Sequence, residues 1–338
     1  MIISRTPYRI SFLGGGTDYP QWYREHGGAV LSTTINRYCY ITCRYLPPFF
    51  AHKHRIVYSI IEDAMTIDEI RHPAVRECLR FMKIEEGMEI HHDGDLPKQS
   101  GLGTSSSFTV GLLNALHALR GETTTPLQLA QEAIHVERDL CGDRVGSQDQ
   151  VATSFGGFNR IRFLQNDEFE IDPISMSGER FRLFQQHFML FFTGFSRIAS
   201  DIAKEQLANI PEKKPELRAM HDMVEEGVRI LTGHGNLDAF GHLLNEGWRL
   251  KKTLSGKIST GAIDAMYHEA RKAGALGGKI TGAGGGGFLL LFVPPTHQAA
   301  VRKALPSYMN VPFSFESSGS QLILCQPTEA EFRITDGA

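Results

Sequence analysis

Between Pro97 and Ser107 the chain reads PKQSGLGTSSS, two glycines and a line of hydroxyls set just before an apolar, helix-periodic run, FTVGLLNALHALRG. Gly101 and Gly103 permit a tight turn. The amides of residues 101–106 would then point outward from a helix start carrying partial positive charge, a ready anion site. One hydroxyl is enough to cap a helix, and Thr104, Ser105, Ser106 and Ser107 exceed that need. Phosphate binding is therefore favoured over capping alone, with the same hydroxyls able to take a phosphate oxygen or a Mg²⁺ ion.

Two further glycine loops accompany it. In PYRISFLGGGTDYP, Gly14, Gly15 and Gly16 follow a strand that carries Arg9, and Thr17 and Asp18 come next; the bland alternative is a hairpin turn with a capping Asp. In KITGAGGGGFLLLF, Gly282, Gly284 and Gly287 have G-x-G-x-x-G spacing, but the segment that follows, FLLLFV, reads as a buried strand, whereas a dinucleotide loop must open a helix. A Walker A loop also fails, because Ala273 stands where its first glycine should be and Ile280 replaces the Ser/Thr. The protein-kinase motifs H-R-D and D-F-G are absent.

Phosphoryl transfer further requires a metal to offset phosphate charge and a carboxylate near the attacking hydroxyl. VERDLCGDRVGSQDQ supplies Glu137, Asp139, Asp143 and Asp149. Glu137 falls late in a helical pattern and Asp149 in a turn that starts another helix. Taken singly, Asp149 could be an N-cap and Glu137 a solvated residue paired with Arg138.

The elements that must position these groups follow from pattern. The first ninety or so residues read mainly as strands (YRISFL, GAVLSTTI, YCYITCRYL, RIVYSII, GMEIHHDG), with one short helix in PQWYREHG. Helices are expected over 104–120 and 126–141, the second opened by a Thr-Pro start, and FNRIRFL returns to strand. After HFMLFFTG come several helices, then FLLLFV, HQAAVRKAL and VPFSFE as strand, helix and strand. The class is α+β in two lobes, 1–185 and 186–338, as 338 residues exceed one ordinary core.

Composition narrows the function classes. Hydrophobic residues at 41%, charged residues at 22% and a formal net charge of −3 describe a folded protein with no basic stripe for nucleic acid. The longest apolar run cannot span a bilayer and no signal-peptide pattern opens the chain, so no membrane association and a cytoplasmic location are expected. Five scattered cysteines without a C-x-x-C pair argue against a disulfide framework or a zinc site. Cys39 and Cys43 share a strand face and are expected to be reduced core residues.

Together the three loops, in this order and over essentially the whole chain, resemble the galactokinase, homoserine kinase, mevalonate kinase and phosphomevalonate kinase (GHMP) superfamily. PYRISFLGGGTDYP looks like its first motif, PKQSGLGTSSS is similar to its P-x-x-x-G-L-G-S-S-A-A phosphate loop, and KITGAGGGG to its C-terminal glycine loop. The resemblance implies an N-terminal lobe like ribosomal protein S5 domain 2 and a ferredoxin-like C-terminal lobe. It implies ATP held by Pro97, Ser100, Gly101, Leu102, Gly103, Thr104, Ser105, Ser106 and Ser107. Mg²⁺ would be held by Ser105 and Glu137, with Asp149 as the base and Arg9 as the cation beside it. Gly15, Gly16, Thr17, Asp18, Gly282, Gly284 and Gly285 would face the substrate. Ser106 and Ser107 stand where the family has Ala-Ala, which leaves the hydroxyl assignment open by one position. Gly15 and Gly16 replace the Glu-His of galactokinases. TPYRISFLGGGTDYP with GSQDQ and FGGFN looks most like bacterial D-glycero-D-manno-heptose 7-phosphate kinases, and next like the kinase portion of fucokinases. A sugar phosphate and ATP are the implied partners, in a monomer or homodimer. His52, Lys53, His54, Arg55, Arg24, Arg37 and Arg44 are candidates to grip a substrate phosphate. A non-catalytic sugar sensor and a diphosphate decarboxylase are the rival readings.

Overall fold

The computed structural model describes residues 1–194 and 199–326. The chain opens with a long antiparallel pair, β1 (Ile2–Leu13) and β2 (Gly28–Tyr45), joined through the GGGTDYP loop and helix α1 (Pro20–His26). GAVLSTTI and YCYITCRYL, which read as two strands, are one. Pro7, unable to donate a ladder hydrogen bond, sits at a register irregularity between Pro7 and Tyr8, where its missing N–H is tolerated. The hairpin β3 (His54–Val57) and β4 (Ile61–Ala64), helix α2 (Pro73–Phe81) and strand β5 (Met88–Gly94) follow.

The central helix α3 (Thr104–Leu119) is buried from Ser106 to Leu119, as its apolar content on every side demands. It leads to α4 (Pro126–Ile134), capped by the Thr125 hydroxyl with Pro126 in its first turn, and then to α5 (Gln148–Phe155), β6 (Phe158–Phe163), β7 (Phe169–Pro173) and α6 (Gly178–Gln186). The helix expected over 126–141 changes character at His135–Leu140, a π-helical turn that contains Glu137. Such widened turns recur where a side chain must be presented at a functional site.

The second sheet is built from β8 (Phe188–Phe192), β9 (Gly277–Ile280), β10 (Phe288–Phe292) and β11 (Met309–Asn310) in the antiparallel order β11-β8-β10-β9. Helices α7 (Ala199–Asn209), α8 (Lys214–Thr232), α9 (Asp238–Thr253) and α10 (Gly261–Lys272) lie between β8 and β9, and α11 (Gln298–Ala304) follows β10. The chain then crosses back: β12 (Phe315–Glu316) pairs with β2 and β13 (Gln321–Cys325) with β1, giving the first sheet the order β13-β1-β2-β5-β3-β4. The expected division at 185 falls in the last turn of α6, just before β8, and β12 and β13 of the 186–338 segment pair with strands of the first sheet. Residues 315–325 complete the first sheet because β1 and β2 leave ladder groups that only another strand can satisfy.

One apolar cluster runs through both sheets. Phe12, at the end of β1, makes edge contacts with Phe158, Phe184 and Phe240 at centroid distances of 5.5, 6.0 and 5.8 Å. Lys279, buried on β9, donates to the backbone oxygens of Ser11 (2.9 Å) and Phe12 (3.1 Å). Cys39 and Cys43 are buried and free, as their strand face required.

The glycine loops are where the lobes touch most closely. A Cβ on Gly282 would stand 2.5 Å from the Gly101 Cα, and φ there is +65°. Gly282→Ala should therefore destabilise the fold by roughly 1–3 kcal/mol. Gly15→Ala, where the nearest atom would be at 3.6 Å, should leave stability almost unchanged. Equal melting temperatures for Gly282→Ala and the parent protein would refute this packing.

Candidate active site

The PKQSGLGTSSS loop turns sharply, with positive φ at Gln99, Gly101 and Gly103. Gly103 is the N-cap of α3 in left-handed conformation, and no side chain caps the helix. The four hydroxyls are thus not spent on the first-turn amides. Ser107 donates instead to the Pro7 carbonyl (3.0 Å) and pins α3 to β1. Leu102 is wholly buried in the apolar core, so its side chain faces away from any ligand, while its carbonyl accepts from the Arg9 amide at 3.0 Å. Of the residues expected to hold ATP, Ser107 thus has its hydroxyl on the Pro7 carbonyl and Leu102 has its side chain in the core. Thr104 is half-buried and Ser105 exposed at the mouth of the loop.

The C-terminal glycine loop backs this turn. Gly282, Gly284, Gly285, Gly286 and Gly287 all have positive φ. The Thr281 hydroxyl donates to the Ser100 carbonyl at 3.1 Å, and a Cβ on Gly287 would lie 2.3 Å from that same oxygen. Only glycines allow two backbones this close. Gly282 thus faces the phosphate loop, and the Gly285 amide donates to the Ile258 carbonyl (2.8 Å).

Arg9 joins the loops to the acidic segment. Its Nε and Nη2 donate to Asp149 Oδ1 and Oδ2, both at 2.7 Å, and its Nη1 donates to the Gly101 carbonyl at 2.8 Å. This is the planar bidentate fork that arginine forms with a carboxylate. Arg9 is 3% exposed and Asp149 25%, so the carboxylate alone reaches the cleft. A Cβ at Gly103 would lie 3.6 Å from Asp149 Oδ2. The expected base and the expected phosphate loop are therefore direct neighbours.

Glu137 is buried at 1% exposure. Its Oε2 accepts from the Ser106 hydroxyl (2.9 Å) and from the Gln150 amide, while Oε1 has no partner among the described residues. Ser106, not Ser105, is the hydroxyl that meets Glu137. Each helical step rotates a side chain by about 100°, which turns Ser105 out to solvent and Ser106 in toward the π-helical turn. Burial pushes the Glu137 carboxyl up to about 7; the nearby Thr109 hydroxyl and the hydrogen bonds from Ser106 and Gln150 oppose this, and the Asp149 charge adds to it. A buried, half-satisfied carboxylate beside a hydroxyl is a donor set suited to Mg²⁺.

On the other side of Asp149 lies Asp18, 2% exposed, whose Oδ1 accepts from the Gly16 amide at 2.8 Å. Burial pushes its carboxyl up, with the Gly16 amide opposing and the Asp149 charge adding. Thr17 is spent on structure. Its hydroxyl lies 2.8 Å from the Gly14 carbonyl and 2.9 Å from the Ala29 carbonyl, either of which can take its proton, so it fastens the loop to β2. A Cβ on Gly15 would make ordinary contact with Ser11 Oγ (3.6 Å) and Gln148 Nε2 (3.8 Å), whereas one on Gly16, where φ is +110°, would crowd Gln206 Nε2 at 3.0 Å. Ser11 Oγ, Ser100 Oγ, Gln148 Oε1 and Gln150 Oε1 are buried and unpartnered among the described residues.

The four arginines among the basic candidates for a substrate phosphate have partners elsewhere. Arg24 pairs with Asp167 (2.9 Å), Arg44 with Glu89 (2.5 Å) and Arg55 with Asp63 (2.9 Å). Arg37 donates to the carbonyls of Asn36 and Pro312, and burial, with the Lys53 charge adding, lowers His54 to about 4. What sequence reasoning missed is Lys251 on α9, 4% exposed, with its ammonium on the Gly282 carbonyl. The signal was present: Phe240, Leu244 and Trp248 form the buried stripe of α9, and Lys251 continues it where an apolar residue belongs.

A phosphate-type loop, a carboxylate–arginine pair and a buried metal-type carboxylate on this two-lobed α+β frame define a phosphotransferase class. The chain belongs to the GHMP kinases: residues 70–157 match the GHMP kinases N terminal domain and residues 223–311 the GHMP kinases C terminal domain. It is 28% identical over 333 residues to D-glycero-alpha-D-manno-heptose 7-phosphate kinase of Campylobacter jejuni, covering 94% of this chain and 97% of that one. It is 25% identical to a galactokinase of Pyrococcus furiosus, covering 94% and 96%. A crystal structure of a D-glycero-D-manno-heptose 1-phosphate kinase from Bacteroides thetaiotaomicron superposes with a TM-score of 0.78 at 26% identity, covering 95% and 98%.

The raised Glu137 has a consequence for stability. Its folded value of about 7 lies above the ordinary 4.5, so the folded state holds the proton more tightly and charging Glu137 costs stability as pH rises through that interval. Glu137→Gln should therefore stabilise the metal-free protein at pH 8 by up to about 3 kcal/mol. The gap should close as pH falls below about 4.5. Chemical denaturation at several pH values checks this, and a gap independent of pH would count against it.

Proposed function

We propose that this GHMP-family sugar kinase transfers the γ-phosphoryl group of ATP to the anomeric hydroxyl of D-glycero-D-manno-heptose 7-phosphate, giving the 1,7-bisphosphate. The observation that carries the transfer reading is the Arg9–Asp149 fork lying against Gly103 at the uncapped start of α3. The heptose 7-phosphate kinase similarity over nearly the full chain supports the acceptor. A galactokinase- or fucokinase-type reaction on an unphosphorylated sugar is the second reading, supported by the relatives of those kinds and by the engagement of Arg24, Arg44 and Arg55 in ion pairs.

The amides that open α3, with the Thr104 and Ser105 hydroxyls, bind the ATP phosphates. Asp18 accepts from a sugar hydroxyl, held in place by the Gly16 amide. Asp149 takes the proton of the attacking hydroxyl while Arg9 keeps the carboxylate oriented and offsets charge building on the phosphoryl oxygens. The new bond joins the sugar oxygen to the γ-phosphorus, the bond from that phosphorus to the β–γ bridging oxygen breaks, and ADP leaves with the electron pair. Glu137 and Ser106 would hold Mg²⁺, which when bound offsets the charge of the triphosphate. No helix of the described residues is long and apolar enough to cross a membrane, and we place the reaction in the cytoplasm with its ATP.

The test is an ADP-release assay over heptose 7-phosphate, fucose, mannose and galactose. Heptose 7-phosphate should give the highest kcat/KM. Asp149→Asn should lose about 10²–10⁴-fold in kcat with ATP affinity kept. Preference for an unphosphorylated sugar would select the second reading, near-parental turnover by Asp149→Asn would remove the base, and silence of the parent protein on every sugar would favour a sensor.

A further inference from the structure

The proposed transfer leaves one buried cation without a task. Lys251 projects from α9 toward the junction of the phosphate loop and the C-terminal glycine loop. Its ammonium carries three donors, and its one hydrogen-bond partner among the described residues is the Gly282 carbonyl. Gly282 packs on Gly101, whose carbonyl is held by Arg9. The charged groups around Lys251 come from every neighbouring element: Arg9 from β1, Asp18 from the first glycine loop, Asp149 from α5 and Lys279 from β9. Lys279 differs from it, for that side chain is committed to the Ser11 and Phe12 carbonyls. Arg9 is likewise committed to Asp149 and Gly101.

A buried ammonium with unspent donors costs free energy unless a ligand completes its hydrogen bonds. An anionic group bound between Asp149 and the phosphate loop would supply acceptors for those donors. We propose that Lys251 is a catalytic residue that donates a hydrogen bond to the γ-phosphoryl group of ATP during transfer, anchored for that purpose by the Gly282 carbonyl. This rests on the kinase reading. The role is electrostatic: Lys251 transfers no proton, and its contact strengthens as charge gathers on the phosphoryl oxygens. Burial, reinforced by the Arg9 charge and opposed by Asp18 and Asp149, lowers Lys251 to about 8. The cation is present below that value and lost above it.

The experiment compares Lys251→Met and Lys251→Arg with the parent protein. The kcat/KM of the parent, which reports the ligand-free enzyme, should fall as pH rises through about 8. Lys251→Met should lose 10²-fold or more in kcat at pH 7, with sugar KM within threefold, and should lack that alkaline limb. Lys251→Arg should recover part of kcat and keep its activity to higher pH. A second readout needs no turnover: the ³¹P resonance of the γ-phosphate of a bound non-hydrolysable ATP analogue should shift with pH above about 8 in the parent protein, because the phosphate charge raises the lysine it contacts, and not in Lys251→Met. Parental kcat in a folded Lys251→Met variant, or a γ-phosphate titration unchanged by it, overturns the proposal while the kinase reading stands. If no sugar is turned over by the parent protein, the kinase reading fails, and the ³¹P titration still decides whether Lys251 meets the γ-phosphate.

Discussion

The guanidinium of Arg9 is the point through which the rest of the site is arranged. It spends two donors on Asp149 and one on the Gly101 carbonyl, and its own amide is bonded to Leu102. A single side chain from β1 therefore sets the position of a carboxylate from α5 and the path of the loop that opens α3. Removing it would leave a buried carbonyl and a carboxylate without their partners, a larger loss than one exposed ion pair.

That arrangement works only if backbones can approach one another. Gly101, Gly282 and Gly287 stand at contacts where a single methyl group would overlap main-chain atoms of the opposite loop. The glycine content of the third loop therefore has a packing cause as well as a conformational one. Its tight seat also presents the Gly282 carbonyl to Lys251, which couples α9 of the second lobe to the chemistry of the first. Around this junction the protein accepts buried, incompletely bonded groups, among them Glu137 Oε1, Ser11 Oγ and Ser100 Oγ. Buried polar atoms left without partners cost folding free energy.

Much of this was legible from residue order. The three glycine loops, Arg9, Asp149 and Asp18 could be named because their types and spacings had few bland explanations once taken together, and β1 and α3, which flank two of the loops, were expected where they stand, whereas the unbroken β2, helix α2 and the π-helical turn at Glu137 were not. The α+β class followed from the same periodicities. Single-residue roles were less legible. Ser105 and Ser106 are adjacent and chemically alike, so only the direction each takes off α3 separates the one exposed to solvent from the one on Glu137. Thr17 and Ser107 look like ligand hydroxyls in sequence, yet each is consumed by backbone carbonyls of a neighbouring strand or loop.

The sequence by itself determined the chemistry available to this protein: anion-binding turns, a carboxylate base candidate, a cation to accompany it, and no composition suited to nucleic acid. Tertiary structure decided which copies of those groups converge. Lys251 lies 242 positions after Arg9, and β12 and β13 return from the far end of the chain to complete the first sheet. Contacts of that kind depend on loop closure and on how two lobes seat against each other. Local pattern encodes the face a residue shares with its near neighbours, and carries no information about which distant loop will lie across from it.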